Sequence, residues 1–148
     1  MNILFLGYED CSLIQFLSRD ASVYQTMGKI TLPEIKEFNP DMIISYGYKH
    51  IIKKDVIDEY RDKIINLHIS YLPWNKGMYP NVWSAIDQTP TGVTIHLIDE
   101  GVDTGDIIYQ EHVQIDDEDT LSSSYDKLRK NIENLFMKTW KEIKAFNF

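Results

Sequence analysis

The chain has 148 residues and a mass of 17.4 kDa, which is enough for one domain with a sizeable core and too short for two ordinary domains. Its 15 lysines and arginines stand against 23 aspartates and glutamates, so the formal net charge is -8. This balance argues against nucleic-acid binding as the main activity, because neutralising phosphates supplies much of the affinity for nucleic acids. Cys11 is the only cysteine, which excludes an intramolecular disulfide and a cysteine-rich metal site.

The distribution of apolar residues points away from a membrane protein. The uncharged stretches are far shorter than the ~20 residues that a membrane span needs. Residues 1–7 form a short apolar run without a basic leader or a small-residue cleavage site, so they predict a first strand rather than a signal peptide. We therefore expect a cytoplasmic protein that acts on a small molecule, with neither a membrane nor a nucleic-acid partner.

Short apolar runs alternate with helix-like segments along the chain, which is typical of α/β domains. Gly7 permits a sharp exit from the first strand, and Asp10 or Ser12 could cap a helix that presents Leu13, Phe16 and Leu17 on one face. The other elements predicted in this half are strands over residues 22–26, 41–47 and 63–68 and helices over residues 32–38 and 54–60.

The second half predicts a strand pair and a long terminal helix. The strands cover residues 92–98 and 107–115, and an acidic loop over residues 99–106 joins them. The helix covers residues 120–146, and apolar side chains at 3- and 4-residue spacings should pack one face of it against the core. These side chains are Leu121, Tyr125, Leu128, Ile132, Leu135, Phe136, Trp140 and Ile143. No repeat or linker interrupts the pattern, so residues 1–148 are predicted to form a single domain.

Asn66 and His68 are the first candidates for chemistry. Alternate residues of a strand point to one face, so the two side chains should be neighbours at the end of a strand, where open α/β sheets bind ligands. A carboxamide can donate to an oxyanion while an imidazole handles a proton near neutral pH, a combination that suits acyl transfer. The alternative is a strand end whose polar side chains only bond to the nearby loop backbone.

The acidic loop over residues 99–106 holds four carboxylates and two glycines that permit sharp turns. It is either a solvated hairpin loop or a loop that turns one carboxylate inward to orient a histidine and stabilise its protonated form. Spacing alone does not choose the carboxylate.

Several motifs between residues 47 and 110 together resemble the formyltransferase family. This family includes methionyl-tRNA formyltransferase, glycinamide ribonucleotide transformylase and the nucleotide-sugar N-formyltransferases. The motifs are, in order, Asn66-Leu67-His68-Ile69-Ser70-Tyr71-Leu72-Pro73, Lys76-Gly77, Pro80, Trp83-Ser84-Ala85-Ile86, Thr91-Gly92-Val93-Thr94-Ile95-His96 and Asp99-Glu100-Gly101-Val102-Asp103-Thr104-Gly105-Asp106-Ile107.

The resemblance implies a Rossmann-like, mostly parallel α/β sheet, with 10-formyltetrahydrofolate as the formyl donor and no metal. It assigns catalysis to Asn66, His68 and Asp103, and so selects Asp103 among the four carboxylates. Leu72-Pro73 resembles a peptide bond that is cis in family members. A metal cluster built on His68 and His96 is disfavoured, because a histidine in mid-strand is more often core or cross-strand packing.

The resemblance also implies where the ligands bind. Folate is expected against the exit of the strand before Asn66 and against the acidic loop, and the acceptor is expected after His68. The residues expected to bind folate are Tyr48, Lys49, His50, Ile51, Ile52, Asp99, Glu100, Gly101 and Val102. The residues expected to bind the acceptor are Lys76, Gly77, Tyr79 and Pro80, and Trp74, Tyr79 and Trp83 could stack on a sugar or base.

The amino-sugar enzymes fit this chain best within the family. Glycinamide ribonucleotide transformylase carries a Gly-rich phosphate-binding turn where this chain has the carboxylates Glu9 and Asp10. Methionyl-tRNA formyltransferase is longer and grips tRNA with a C-terminal barrel, whereas this acidic chain ends in a predicted helix. We therefore predict an enzyme that formylates an amino sugar, carried on a nucleotide. The alternatives are a folate-binding or regulatory module without transfer, formyl transfer to another amine, and hydrolysis of formyltetrahydrofolate.

The interval between the first strand and the strand that begins near Met42 is short for the family. The resemblance implies that a strand–helix unit is missing there, which should leave one flank of the sheet less covered. Self-association as a homodimer could bury this flank, since large exposed apolar patches are uncommon on monomers.

Overall fold

The computed structural model describes all 148 residues and contains one six-stranded sheet with helices on both faces. The strands are β1 (Asn2–Gly7), β2 (Ser22–Thr26), β3 (Met42–Tyr46), β4 (Ile64–His68), β5 (Gly92–Leu97) and β6 (Ile107–His112). The helices are α1 (Ser12–Leu17), α2 (Leu32–Phe38), α3 (Lys54–Glu59), α4 (Pro80–Asp87) and α5 (Leu121–Lys144). None of these helices combines the length and the apolar character that crossing a bilayer requires.

The strands lie in the order β2-β1-β3-β4-β5-β6. β1 pairs with β2 and β3 in parallel, and β3 pairs with β4 in parallel, whereas β5 runs antiparallel to β4 and to β6. The predicted mostly parallel, Rossmann-like α/β sheet is therefore confirmed. The carboxyl ends of four parallel strands share one edge, which is where sheets of this kind bind ligands.

Both faces of the sheet are covered by helices. α1 and α5 pack with strand side chains in the larger apolar cluster, and α2 and α3 pack against the opposite face in a smaller one. The predicted apolar face of α5 is buried from Leu128 onward. Leu121 and Tyr125 were wrongly predicted to belong to this core: Leu121 is 50% exposed and Tyr125 is half-buried, because the first turns of α5 face the cavity described below.

The start of α1 differs from the prediction. The residue before the helix is Cys11, and no side chain caps the helix, so the prediction of Asp10 or Ser12 as a cap was wrong. Both side chains turn toward α5 instead. Ser12 Oγ donates to Glu133 Oε1 at 2.8 Å, and Asp10 Oδ1 lies 3.9 Å from the Arg129 guanidinium.

The short interval between β1 and β3 still forms α1, β2 and α2, which is a complete helix–strand–helix connection. β2 is an edge strand, and Tyr24 and the adjacent Met27 are 49% and 42% exposed. This flank of the sheet is therefore partly uncovered. Self-association through it stays a prediction.

Candidate active site

Polar side chains from β4 and β5 meet on one face of the sheet. Asn66 and His68 alternate with core residues along β4 and point to the same side. The antiparallel pairing sets His96 opposite Asn66 and Thr94 opposite His68. The strand register thus brings together two pairs of polar groups that are far apart in the sequence.

Asp103 reaches this group from the loop between β5 and β6, where its backbone is left-handed with φ 51°. Its Oδ1 accepts a hydrogen bond from Asn66 Nδ2 at 3.3 Å and lies 3.4 Å from His96 Nε2. Its Oδ2 accepts a hydrogen bond from the Gly77 N–H at 2.6 Å and lies 3.6 Å from His68 Nε2. The structure therefore brings the three predicted catalytic residues together around one carboxylate.

The main chain, rather than Asp103, holds the His68 ring. His68 Nε2 lies 2.9 Å from the carbonyl oxygen of Asn75, and because a carbonyl only accepts, Nε2 carries the proton. The 3.6 Å between this nitrogen and Asp103 Oδ2 is too long for a hydrogen bond. Asp103 therefore acts on His68 through its charge in this arrangement.

His96 takes part in the site as well as in cross-strand packing. It is almost fully buried, its Nδ1 donates to the Leu97 carbonyl at 2.8 Å, and its Nε2 lies 3.2 Å from Asn66 Nδ2 and 3.4 Å from Asp103 Oδ1. The sequence did not reveal this contact, because it depends on the register of β4 against β5. The histidines and carboxylates of the site do not form a group arranged to hold a metal ion.

Burial and neighbouring groups set the charges in the site. Burial raises the pKa of Asp103, but hydrogen bonding with His96, the charge of His68 and the Gly77 N–H outweigh this effect and lower that pKa to about 2. Burial lowers the pKa of His68 below its ordinary 6.5, although the Asp103 charge opposes the change. At neutral pH the site therefore presents an ionised carboxylate beside a neutral imidazole, which can accept a proton.

A buried hydrogen-bond cluster anchors the loop that follows β4. Thr94 Oγ1 donates to the Ser70 carbonyl at 2.7 Å and accepts from the Leu72 N–H at 3.2 Å and from Gln110 Nε2 at 3.0 Å. Gln110 Nε2 also donates to the Leu72 carbonyl at 2.8 Å. The Leu72-Pro73 peptide bond is cis, as the resemblance implies. The cluster thus fixes the start of the loop whose backbone contacts the catalytic side chains.

The three predicted catalytic residues line a cavity of about 820 Å³, which is within the range of small-molecule sites. All of the residues predicted to bind folate line this cavity as well: Tyr48, Lys49, His50, Ile51, Ile52, Asp99, Glu100, Gly101 and Val102. Ile51 and Val102 are 90% and 67% exposed, so a ligand could cover apolar side chains that now face solvent. The residues present therefore fit a folate, a large ligand with an apolar ring system.

The predicted acceptor residues divide into two groups. Gly77, Tyr79 and Pro80 line the cavity, whereas Lys76 is exposed and lies outside its lining. Trp74 and Trp83 also lie outside the lining, so Tyr79 is the one predicted stacking residue that faces the cavity.

The chain resembles known proteins over most of its length. The family model described as Formyl transferase matches residues 20–139, a segment that contains all of the predicted site residues.

Individual relatives include sugar, methionyl-tRNA and phosphoribosylglycinamide formyltransferases. The formyltransferase PseJ from Anoxybacillus kamchatkensis, solved with UDP-4,6-dideoxy-4-formamido-L-AltNAc and tetrahydrofolate, is 45% identical over 99% of this chain and 78% of its own, with a TM-score of 0.94. A methionyl-tRNA formyltransferase of Fusobacterium nucleatum is 34% identical over 86% of this chain, and one of Finegoldia magna is 36% identical over 64%. The chain spans 43% and 31%, respectively, of the length of these two curated relatives.

Proposed function

The chain belongs to the formyl transferase family, and on this premise we propose that it transfers a formyl group from 10-formyltetrahydrofolate to the amine of a nucleotide-linked amino sugar. The observation that carries the proposal is the convergence of Asn66, His68 and Asp103 on the wall of a cavity of about 820 Å³. An amide donor can stabilise an oxyanion and a neutral imidazole beside an ionised carboxylate can accept a proton, which together suit acyl transfer to an amine.

The donor binds in the half of the cavity formed by residues 48–52 and 99–102. These two segments follow β3 and β5 and carry the exposed apolar side chains of Ile51 and Val102. Covering such side chains contributes free energy in proportion to the apolar area removed from water. The bound folate supplies the formyl group, and the protein holds the folate in position.

His68 receives the proton that the acceptor amine loses as it attacks the formyl carbon. Burial keeps the ring neutral at pH 7 by lowering its pKa, so Nδ1, the nitrogen that does not donate to Asn75, has a lone pair available for the proton. Once the ring is protonated, the Asp103 carboxylate stabilises its charge across 3.6 Å. The ring then returns the proton to the folate nitrogen as the bond between that nitrogen and the formyl carbon breaks, which releases tetrahydrofolate. A positioned acid–base group of this kind contributes about 10²–10⁴ in rate.

Asn66 stabilises the oxyanion that develops on the formyl oxygen. Its Nδ2 now contacts His96 at 3.2 Å and Asp103 at 3.3 Å, and both distances are at the long end for hydrogen bonds. Exchanging the contact with the Asp103 carboxylate for an oxyanion replaces a long charge-assisted bond of 3.3 Å with one that can be shorter. A single oxyanion donor is worth about 10²–10³ in rate.

The amino-sugar acceptor is supported by the relatives and by charge. PseJ is 45% identical over nearly the whole chain, against 34% and 36% for the methionyl-tRNA formyltransferases. The net charge of -8 repels a polyanion such as tRNA. Methionyl-tRNA is nevertheless the second acceptor to test, because the curated relatives carry that name.

The donor site is tested first, by calorimetric titration with a non-transferable analogue of 10-formyltetrahydrofolate. Wild type is compared with Asn66→Ala and Asp103→Ala. Asp106→Ala is the matched control, because Asp106 is an exposed carboxylate of the same loop that does not line the cavity. We expect saturable 1:1 binding that either active-site substitution weakens and the control leaves unchanged. No binding at millimolar analogue would contradict the proposal.

Transfer is tested next with 10-formyltetrahydrofolate and the 4-amino form of the UDP-sugar found in the PseJ complex. Mass spectrometry follows formylation of the sugar, and methionyl-tRNA serves as the competing acceptor. Rapid formate release without any acceptor would indicate folate hydrolysis instead. Folate binding with neither transfer nor hydrolysis would indicate a binding module.

A further inference from the structure

Two tyrosines line the cavity at positions to which the sequence patterns gave no role in binding. Tyr8 follows β1 and Tyr125 lies on α5, yet their hydroxyl groups are directly hydrogen-bonded to each other. Both residues face the cavity and are half-buried. A hydroxyl pair shares only one of its two protons, so the other O–H remains free to donate to a ligand.

The Tyr8 ring is fixed from several sides. The Arg129 guanidinium stacks over it at 4.1 Å from the ring centroid, and the Tyr46 ring packs edge-on at 4.8 Å. Gly47 has φ 68°, and a Cβ there would overlap the Tyr8 ring. The glycine therefore makes room for the ring, and the position of the ring is built into the fold.

The charges behind the tyrosines are already neutralised. Arg129 Nε donates to the Tyr46 hydroxyl at 3.2 Å and lies 3.7 Å from Glu133 Oε2, and the guanidinium lies 3.9 Å from Asp10. Tyr46 in turn donates to Glu133 at 2.9 Å. The cation is thus engaged by two carboxylates and by the rings of Tyr8, Tyr46 and Tyr125. The part of the cavity wall that Tyr8 and Tyr125 form is therefore an uncharged surface of rings and hydroxyls.

This wall and the predicted donor half pack against opposite faces of the sheet. Tyr8 packs against the cluster formed with α1 and α5, whereas Tyr48, Ile52 and Ile98 pack against the cluster on the opposite face of the sheet. The cavity is therefore lined from both sides of the strand ends, and Asn66 and His68 point to the same face of the sheet as the donor half. A donor in one half leaves the other half for the acceptor.

We propose that Tyr8 and Tyr125 form the subsite for the sugar ring of the acceptor. The inference rests on the proposed function. The chemistry of these two tyrosines indicates the class of ligand, which is an uncharged ring with hydroxyl or amide substituents. The tyrosine rings can pack against the C–H groups of such a ligand, and the free tyrosine hydroxyl can bond to its polar substituents. A phosphate finds no free cation at this wall, so the diphosphate of a nucleotide-linked acceptor lies outside the subsite.

The test measures two affinities in the same proteins. Calorimetry gives the dissociation constants of tetrahydrofolate and of UDP-4,6-dideoxy-4-formamido-L-AltNAc for wild type and for Tyr8→Phe/Tyr125→Phe. Tyr24→Phe is the matched control, because Tyr24 is a half-exposed tyrosine on β2 that does not line the cavity. We expect the double variant to bind the nucleotide sugar about tenfold more weakly, as loss of hydrogen bonds implies, and to bind tetrahydrofolate as wild type does.

The outcomes separate this inference from the proposed function. Equal affinity of wild type and the double variant for the nucleotide sugar would overturn the subsite and leave formyl transfer intact. Parallel losses for both ligands, or a lowered unfolding midpoint, would show a structural role and also overturn it. If wild type bound tetrahydrofolate but not the nucleotide sugar, both the subsite and the amino-sugar acceptor would be wrong, while the donor site would stand.

Discussion

The carbonyl oxygen of Asn75 lies 2.9 Å from His68 Nε2 and receives its hydrogen bond. Asp103, the carboxylate expected to hold the ring, is 3.6 Å from the same nitrogen and accepts instead from the Gly77 N–H and from Asn66. The loop after β4 therefore orients both the imidazole and the carboxylate through its backbone. The hydrogen bonds between Thr94 and the start of this loop are therefore important for the chemistry.

We expect activity to fall on acidification only below pH 6.5. Burial lowers the pKa of His68, so the ring stays neutral, and able to accept a proton, down to a pH below its ordinary pKa. The measurement is kcat/KM for formyl transfer between about pH 5 and pH 8. His68→Asn should lower kcat by about 10²–10⁴ and abolish this acid limb. A limb centred above pH 6.5 would contradict the assignment.

Asp103 should stabilise the fold at neutral pH and lose this effect in acid. Its pKa falls from an ordinary 3.8 to about 2 in the folded protein, and one pKa unit is worth about 1.4 kcal/mol, so the ionised group contributes about 2 kcal/mol. This contribution is complete well above pH 4 and disappears as the pH falls toward 2. Urea denaturation of wild type and Asp103→Asn should show a difference in unfolding free energy that shrinks below about pH 4. A difference independent of pH would show that the carboxylate is not stabilised by folding.

Thr94→Val should loosen the loop and slow catalysis. The substitution removes a hydroxyl that bonds to Ser70, Leu72 and Gln110, and leaving such buried groups unpaired costs about 1–3 kcal/mol. We expect a lower free energy of unfolding and a lower kcat, with most of both restored in Thr94→Ser, which keeps the hydroxyl. Wild-type kcat in Thr94→Val would show that the loop holds its position without this cluster.

Ile51→Ser should weaken folate binding without destabilising the fold. The side chain is 90% exposed at the edge of the cavity, so its truncation removes little folded-state packing, whereas a bound folate would cover it. Burying an isoleucine side chain is worth about 1.5–3 kcal/mol, so we expect roughly tenfold weaker binding of tetrahydrofolate. Ile86→Ser is the control, because Ile86 is 64% exposed on α4 and lies outside the cavity. Equal affinities of Ile51→Ser and Ile86→Ser for tetrahydrofolate would show that the folate does not cover Ile51.

Local patterns in the sequence predicted most of the secondary structure. The strand containing Asn66 and His68 and the amphipathic helix α5 could be recognised because hydrophobic periods of 2.0 and 3.6 are properties of neighbouring residues. The family motifs then selected Asp103 among four carboxylates, and the structure brings it to Asn66. These features depend on order and spacing along the chain.

Only the tertiary structure decided which distant groups touch. His96 meets Asn66 through the register of β4 against β5, Tyr8 meets Tyr125 across 117 positions of sequence, and Lys76 falls outside the cavity although its neighbour Gly77 lines it. Such contacts are set by strand pairing and by the packing of helices on the sheet, and they leave no periodic signal in the sequence. The sequence therefore determined the elements and the catalytic motif, and the fold determined their partners.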